Sequence, residues 1–161
     1  MHATIGKEWN CTLERLANAS LNEKCTKNAP EAPQGTTGFF DYITEGELLV
    51  AGKPRPFGME LWLSEIERTS MDVDTTLRFV LYENLNENYS NLVRYNAYGI
   101  GCAGKFCTDA KDQFNIFCLT NKPRDTSSKQ LTVITIGALI ATAEYAQIPM
   151  KCSILQEEFL R

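Results

Sequence analysis

Apolar residues at helical spacing make the first clear pattern along the chain. Leu13, Leu16, Ala17 and Leu21 recur at intervals of three and four, while Asn10, Glu14, Arg15, Asn18 and Asn22 lie off that stripe. The spacing predicts an amphipathic helix over Glu8–Lys24 with its polar face in water, capped at its start by Asn10 or Thr12. Pro30, Pro33, Gly35 and Gly38 then break the chain into a loop before a short aromatic stretch, Phe39-Phe40-Asp41-Tyr42. A second break at Gly52, Pro54, Pro56 and Gly58 precedes Met59–Arg68, where Met59, Leu61, Trp62 and Ile66 predict another helix and Glu60, Glu67 and Arg68 its solvent face.

Beyond that point the period shifts towards two. Leu77–Tyr82, Tyr98–Ala103 and Phe114–Leu119 read as short strands, the last two joined by Gly104 and the polar stretch Thr108–Gln113 as an antiparallel hairpin. Helices followed by paired strands are an α+β pattern, and no repeat or composition break divides residues 1–161 into more than one domain. After Pro123 come a polar link, Arg124–Gln130, and an apolar run, Leu131–Ala143, interrupted by Thr132, Thr135 and Thr142. That run is shorter than the roughly 18–20 residues a bilayer requires, so it reads as core or as part of an apolar cavity rather than a membrane span. The charged residues Lys151, Glu157, Glu158 and Arg161 downstream do not fit a lipid-anchor signal.

Composition narrows the function classes. A 43% hydrophobic and 22% charged chain of 161 residues is an ordinary globular composition. With 16 basic against 20 acidic side chains it lacks the positive field that drives phosphate-backbone binding, so nucleic acid is not an expected partner. No phosphate-cradling glycine motif occurs. The only histidine, His2, sits at a terminus expected to fray, which leaves the available nucleophiles without a base.

The six cysteines are Cys11, Cys25, Cys102, Cys107, Cys118 and Cys152, with no Cys-x-x-Cys pair and no second histidine to complete a zinc site. Disulfides are the better explanation, and three glycosylation sequons, at Asn10, Asn18 and Asn88, agree with a secretory route. Residues Met1–Trp9 hold no apolar stretch of signal-peptide length, so the expectation is a secretory chain whose signal has been trimmed. Cys11 and Cys25 lie about 14 residues apart, roughly 21 Å along a helix, too far to bond to each other.

Three stretches together resemble the CAP superfamily, which includes cysteine-rich secretory proteins, insect venom allergens, plant pathogenesis-related proteins of the first class and secreted proteins of parasitic worms. Trp9-Asn10-Cys11-Thr12-Leu13-Glu14-Arg15-Leu16-Ala17 is similar to that family's second helix, closest to its worm members. Trp62-Leu63-Ser64-Glu65-Ile66 resembles its Trp-x-x-Glu helix. Asn88-Tyr89-Ser90-Asn91-Leu92-Val93-Arg94, Gly101-Cys102 through Cys107, and Phe117-Cys118 resemble its His-Tyr-Thr-Gln segment and its cysteine strands. The likeness covers roughly residues 8–120 and leaves 121–161 divergent; coccidian surface antigens with a CAP-like core are a second placement.

The resemblance implies an α/β/α sandwich around a central antiparallel sheet, held by disulfides and lacking the family's first helix. The pairing expected is Cys25 with Cys102, Cys107 with Cys118 and Cys11 with Cys152. It also implies a cavity in which Glu47 and Glu65 stand for the family's two glutamates, while Asn88 replaces one histidine and the other has no counterpart. Losing imidazole removes the usual zinc ligand and general base, so no catalytic residue, metal or cofactor is expected. Asn91 stands for the usual glutamine, Arg94 for the usual tryptophan, and Leu119-Thr120-Asn121-Lys122-Pro123 for the expected Asn-Tyr-x-Pro-x-Gly-Asn element. Asn88 is expected either in the cavity or under a glycan, and Phe39, Phe40 and Tyr42 either in the core or along a small groove. The function implied is a secreted or surface-exposed, monomeric protein without catalysis, binding a protein partner or a small apolar ligand. A sterol or lipid carrier and a metal-dependent enzyme using Glu47 and Glu65 are the alternatives.

Overall fold

A computed structural model describes residues 7–21, 25–44, 49–50, 53–54, 57–68, 72–74, 79–81, 87–94, 96–107 and 113–124. In chain order the elements are β1 (Glu8–Trp9), α1 (Cys11–Ser20), β2 (Thr37–Thr44), β3 (Leu49–Val50), β4 (Lys53–Pro54), α2 (Met59–Leu63), α3 (Glu65–Arg68), β5 (Asp72–Asp74), β6 (Phe79–Leu81), α4 (Glu87–Val93), β7 (Gly99–Phe106) and β8 (Gln113–Thr120). Glu47, His2, Cys152 and the apolar run Leu131–Ala143 lie outside the described residues.

The expected hairpin forms: β7 and β8 pair antiparallel from Ile100 opposite Thr120 to Phe106 opposite Phe114. β2 adds to the other side of β8, with Thr37 opposite Thr120 and Thr44 opposite Gln113. The sheet is not wholly antiparallel as expected, because β1 pairs parallel with β7 and gives the order β1-β7-β8-β2. That pairing also shortens the first helix. Glu8 N–H donates to Tyr98 O and Asn10 N–H to Ile100 O, each at 2.7 Å, so residues 8–9 spend their backbone groups on the sheet. Asn10 then caps α1, its side-chain oxygen accepting from the Thr12 and Leu13 N–H groups.

Strand alternation divides the core into two layers. On one face, Ala103, Phe117 and Leu119 pack against Leu13, Ala17 and Leu21 of α1, with Phe40 at the margin. On the other, Phe39, Ile100, Cys102 and Cys118 pack against Trp62 and Leu63 of α2 and Tyr89 and Leu92 of α4. The result is the expected helix–sheet–helix arrangement. Phe39 and Phe40 point to opposite faces, so the aromatic stretch does not line one groove. The predicted helix over Met59–Arg68 is two short ones, broken where the Ser64 hydroxyl donates back to Leu61 O at 2.8 Å.

Glu14 departs furthest from its expected place in water. It is fully buried, and the Trp9 indole N–H donates to its carboxylate. The cause is the docking of α1 on β7 at Gly101. A Cβ there would stand 2.6 Å from Asn10 O and 2.7 Å from Leu13 C, with Glu14 N closer still, so the two backbones touch and residue 14 is pressed into the interface.

The disulfides correct the expected pairing. Cys102 bonds to Cys118 and Cys25 to Cys107. The ladder places Cys102 directly opposite Cys118, with Cα atoms 4.0 Å apart. Cys107 lies about five residues further along the hairpin, roughly 17 Å from Cys118, and reaches the loop at Cys25 instead. Asn115 Nδ2 donates to Thr26 O at 3.1 Å and holds the same loop. Cys11 is disulfide-bonded too, and the expected Cys11–Cys152 pair has one end outside the described residues.

Because the obstacle at Gly101 is backbone rather than a flexible side chain, Gly101→Ala is expected to cost about 3 kcal/mol or more. A loss of less than about 1 kcal/mol in urea unfolding would mean that α1 and β7 separate easily.

Candidate functional site

The helical glutamate of the Trp-x-x-Glu motif and the asparagine in the histidine position meet. Glu65 begins α3 and Asn88 lies in the first turn of α4. Asn88 Nδ2 donates to Glu65 Oε1 at 2.7 Å, and the Tyr89 backbone N–H donates to Glu65 Oε2 at 2.8 Å. Each carboxylate oxygen thus has a donor, one of them an N–H that α4 cannot satisfy within its own first turn. Burial raises the neighbouring Tyr89 phenol above its ordinary value. Glu47 lies outside the described residues, so only one of the two expected acids can be placed.

Arg124 completes the cluster from the chain beyond β8. Its Nη1 pairs with Glu87 Oε1 at 3.0 Å, its Nη2 donates to Gly38 O at 2.9 Å and reaches Asn88 Oδ1 at 3.4 Å. Its guanidinium lies over the Phe39 ring, 5.8 Å from the centroid. Sequence reasoning passed over Arg124 and Glu87, since Arg124 read as the first residue of a polar link. No local spacing connects it to a segment 36 residues earlier.

The rest of that segment is pinned as well. Gly99 N–H donates to Asn121 Oδ1, Thr37 Oγ1 to Lys122 O and Arg94 Nη2 to Pro123 O, at 2.9, 2.7 and 2.7 Å. Arg94, in place of the family's tryptophan, is 6% exposed and close to Lys7, which is 9% exposed and whose ammonium donates to Ala97 O. Burial, with the Arg94 charge nearby, lowers the Lys7 pKa from 10.5 to about 7.

Among the described residues, no group of three or more His, Cys, Asp or Glu side chains is placed to hold a metal ion. No helix among them is long and apolar enough to cross a membrane. Of the sequons, Asn10 caps α1 through Oδ1, Asn18 is half-buried on α1, and Asn88 turns the nitrogen that would carry a glycan towards Glu65. What the site offers chemically is fixed hydrogen-bond acceptors around one guanidinium.

No protein-family profile matches the sequence, and no curated protein does. Among solved structures, the chain is similar to Na-ASP-1 at 17% identity and a TM-score of 0.55, over 78% of this chain and 29% of that one. It also matches hookworm platelet inhibitor at 20% identity and a TM-score of 0.46, over 79% of this chain and 62% of that one. The likeness to Na-ASP-1 shows the same kind of α+β fold, and the chain spans less than two thirds of either structure.

Two outcomes follow. Glu65→Gln puts a donor where Asn88 Nδ2 or the Tyr89 N–H needs an acceptor, and should cost about 1–3 kcal/mol in urea unfolding. Lys7 should make stability rise with pH. Below about pH 7 both states carry the proton, and the folded chain bears the full cost of a buried ammonium. Between about 7 and 10.5 only the unfolded chain holds it, so the cost is progressively relieved. Urea midpoints at pH 6.5 and 9.5 should show this gain, and Lys7→Met should abolish it; an equal gain in the variant would assign it elsewhere.

Proposed function

We propose that residues 1–161 are a single CAP-like domain of the secreted type, acting outside the cell as a non-catalytic interaction module. The observation that carries this reading is the state of the Glu65 carboxylate, whose two oxygens accept from Asn88 Nδ2 and the Tyr89 N–H. An amide in the histidine position does not exchange protons near neutral pH, which argues against acid–base catalysis there. Support for the extracellular setting comes from the cysteines, since each one among the described residues is in a disulfide, a state that persists in oxidising compartments.

The binding class is a protein partner, engaged through the polar surface around α4 and the start of β2. A small apolar ligand is the competing occupant. Asn88 belongs to this surface rather than to a glycan, because its amide nitrogen is turned to Glu65; Asn10 and Asn18 are the remaining glycan candidates.

The test is secretion from a eukaryotic host, followed by solvent extraction with mass spectrometry and by binding to purified extracellular receptor ectodomains. A clean extract, an unmodified Asn88 peptide, and saturable binding that is lost when the disulfides are reduced are expected. Stoichiometric sterol or fatty acid would establish a carrier instead, and stoichiometric zinc with activity lost in Glu65→Gln would establish the enzyme.

A further inference from the structure

The cluster around Glu65 surrounds the guanidinium of Arg124, and most of its parts are also fixed by other contacts. Gly38 O belongs to β2, locked in register with Leu119 of β8. Phe39 is 1% exposed in the core. Glu87 opens α4 and offers its carboxylate beside the ring. Asn88 has two ends of opposite character, and Glu65 decides which one faces outward. A carboxylate only accepts, so Glu65 takes the Nδ2 end and Oδ1 must point at the arginine.

We propose that Gly38, Phe39, Glu87 and Asn88, with Glu65 behind them, form a recognition site for an arginine side chain, occupied by the chain's own Arg124 and open to a partner's arginine when Arg124 is displaced. This rests on the interaction-module reading and names the partner chemistry. The geometry selects arginine over lysine. Nη1 and Nη2 go to different acceptors, Glu87 Oε1 on one side and Gly38 O with Asn88 Oδ1 on the other, while the central carbon lies over the Phe39 ring, 5.8 Å from its centroid. An ammonium has one nitrogen and no flat face, so it meets one side of the site at a time. The Arg124 and Glu87 side chains are 33% and 36% exposed, so solvent and an incoming side chain reach the pair. Arg124 competes as a tethered ligand at high effective concentration, and binding of a free arginine to the intact chain is correspondingly weak.

The experiment follows thermal unfolding of the oxidised full chain against N-acetyl-arginine amide, with N-acetyl-lysine amide as control. Arg124→Ala should show a saturable rise in midpoint, with half-saturation about tenfold lower than in the unmodified chain. The lysine amide should need at least about fivefold more. Arg124→Ala combined with Glu87→Gln should lose the response. A flat response in Arg124→Ala, or equal responses to both amides, overturns the site. Should Arg124→Ala not fold alone, its refolding yield is the readout, with the double variant correcting for general suppression of aggregation. Rescue by the arginine amide alone supports the site, and no rescue overturns it. Either negative leaves the interaction-module reading standing, since that is tested on the unmodified chain with receptor ectodomains and no added amide.

Discussion

The register of the β7–β8 ladder is the constraint on which the other features depend. With Cys102 opposite Cys118 and Ala103 opposite Phe117, the two side-chain sets alternate between an α1 face and an α2–α4 face. A slip of β7 by one residue against β8 would exchange the faces of its side chains, presenting Cys102 to α1 and Gly101 to α4 while Cys118 stayed where it is. The disulfide forbids that slip, because it joins residues directly opposite each other. Gly101 opposes it from the other side, since only a position without a Cβ admits the backbone of α1. Covalent and steric restraints thus act on neighbouring residues of one strand.

The four residues after β8 convert that sheet into a site. Asn121 closes the end of the ladder against Gly99, Lys122 and Pro123 lend their carbonyls to Thr37 and Arg94, and Arg124 is delivered across β2 to α4. Each of these residues has a partner in a different part of the chain. The buried Arg94 guanidinium brings hydrogen-bond donors that must be met inside the protein, and a carbonyl of this segment meets one of them. Placing a second cation, Lys7, beside it is a cost the fold carries, visible in the lowered pKa of that amine.

Elements whose signal is local were legible in the sequence. The α1 stripe was visible because Leu13, Ala17 and Leu21 face one direction whatever surrounds them, and the β7–β8 hairpin because its period and turn residues are contiguous. Features decided by long-range contact were not. Glu14 carries a polar label, but its environment is set by the approach of Gly101 and Trp9, and the cysteine pairing by a register that six sulfur positions do not encode. Residues 8–9 fit a helix equally well until a parallel neighbour claims their backbone. The meeting of Glu65 and Asn88 was indicated by resemblance alone, through a cavity that groups those positions. Arg124 had no motif to mark it.

An amide, not an imidazole, at position 88 sets what this site is able to do. An imidazole switches charge near neutral pH and presents a lone pair to a metal, so its position is reactive. An amide has a fixed donor end and a fixed acceptor end, and its neighbours determine which way they point. Here Glu65 fixes that direction, and the acceptor end joins a carboxylate, a backbone carbonyl and an aromatic ring. Three acceptors and a π face with net negative charge are complementary to a planar cation with several donors, and a substitution back to an ionisable side chain would disturb that match by adding charge of the same sign as the ligand. On the proposed reading, the amide that exchanges no proton near neutral pH is also the group whose fixed acceptor end a guanidinium can use.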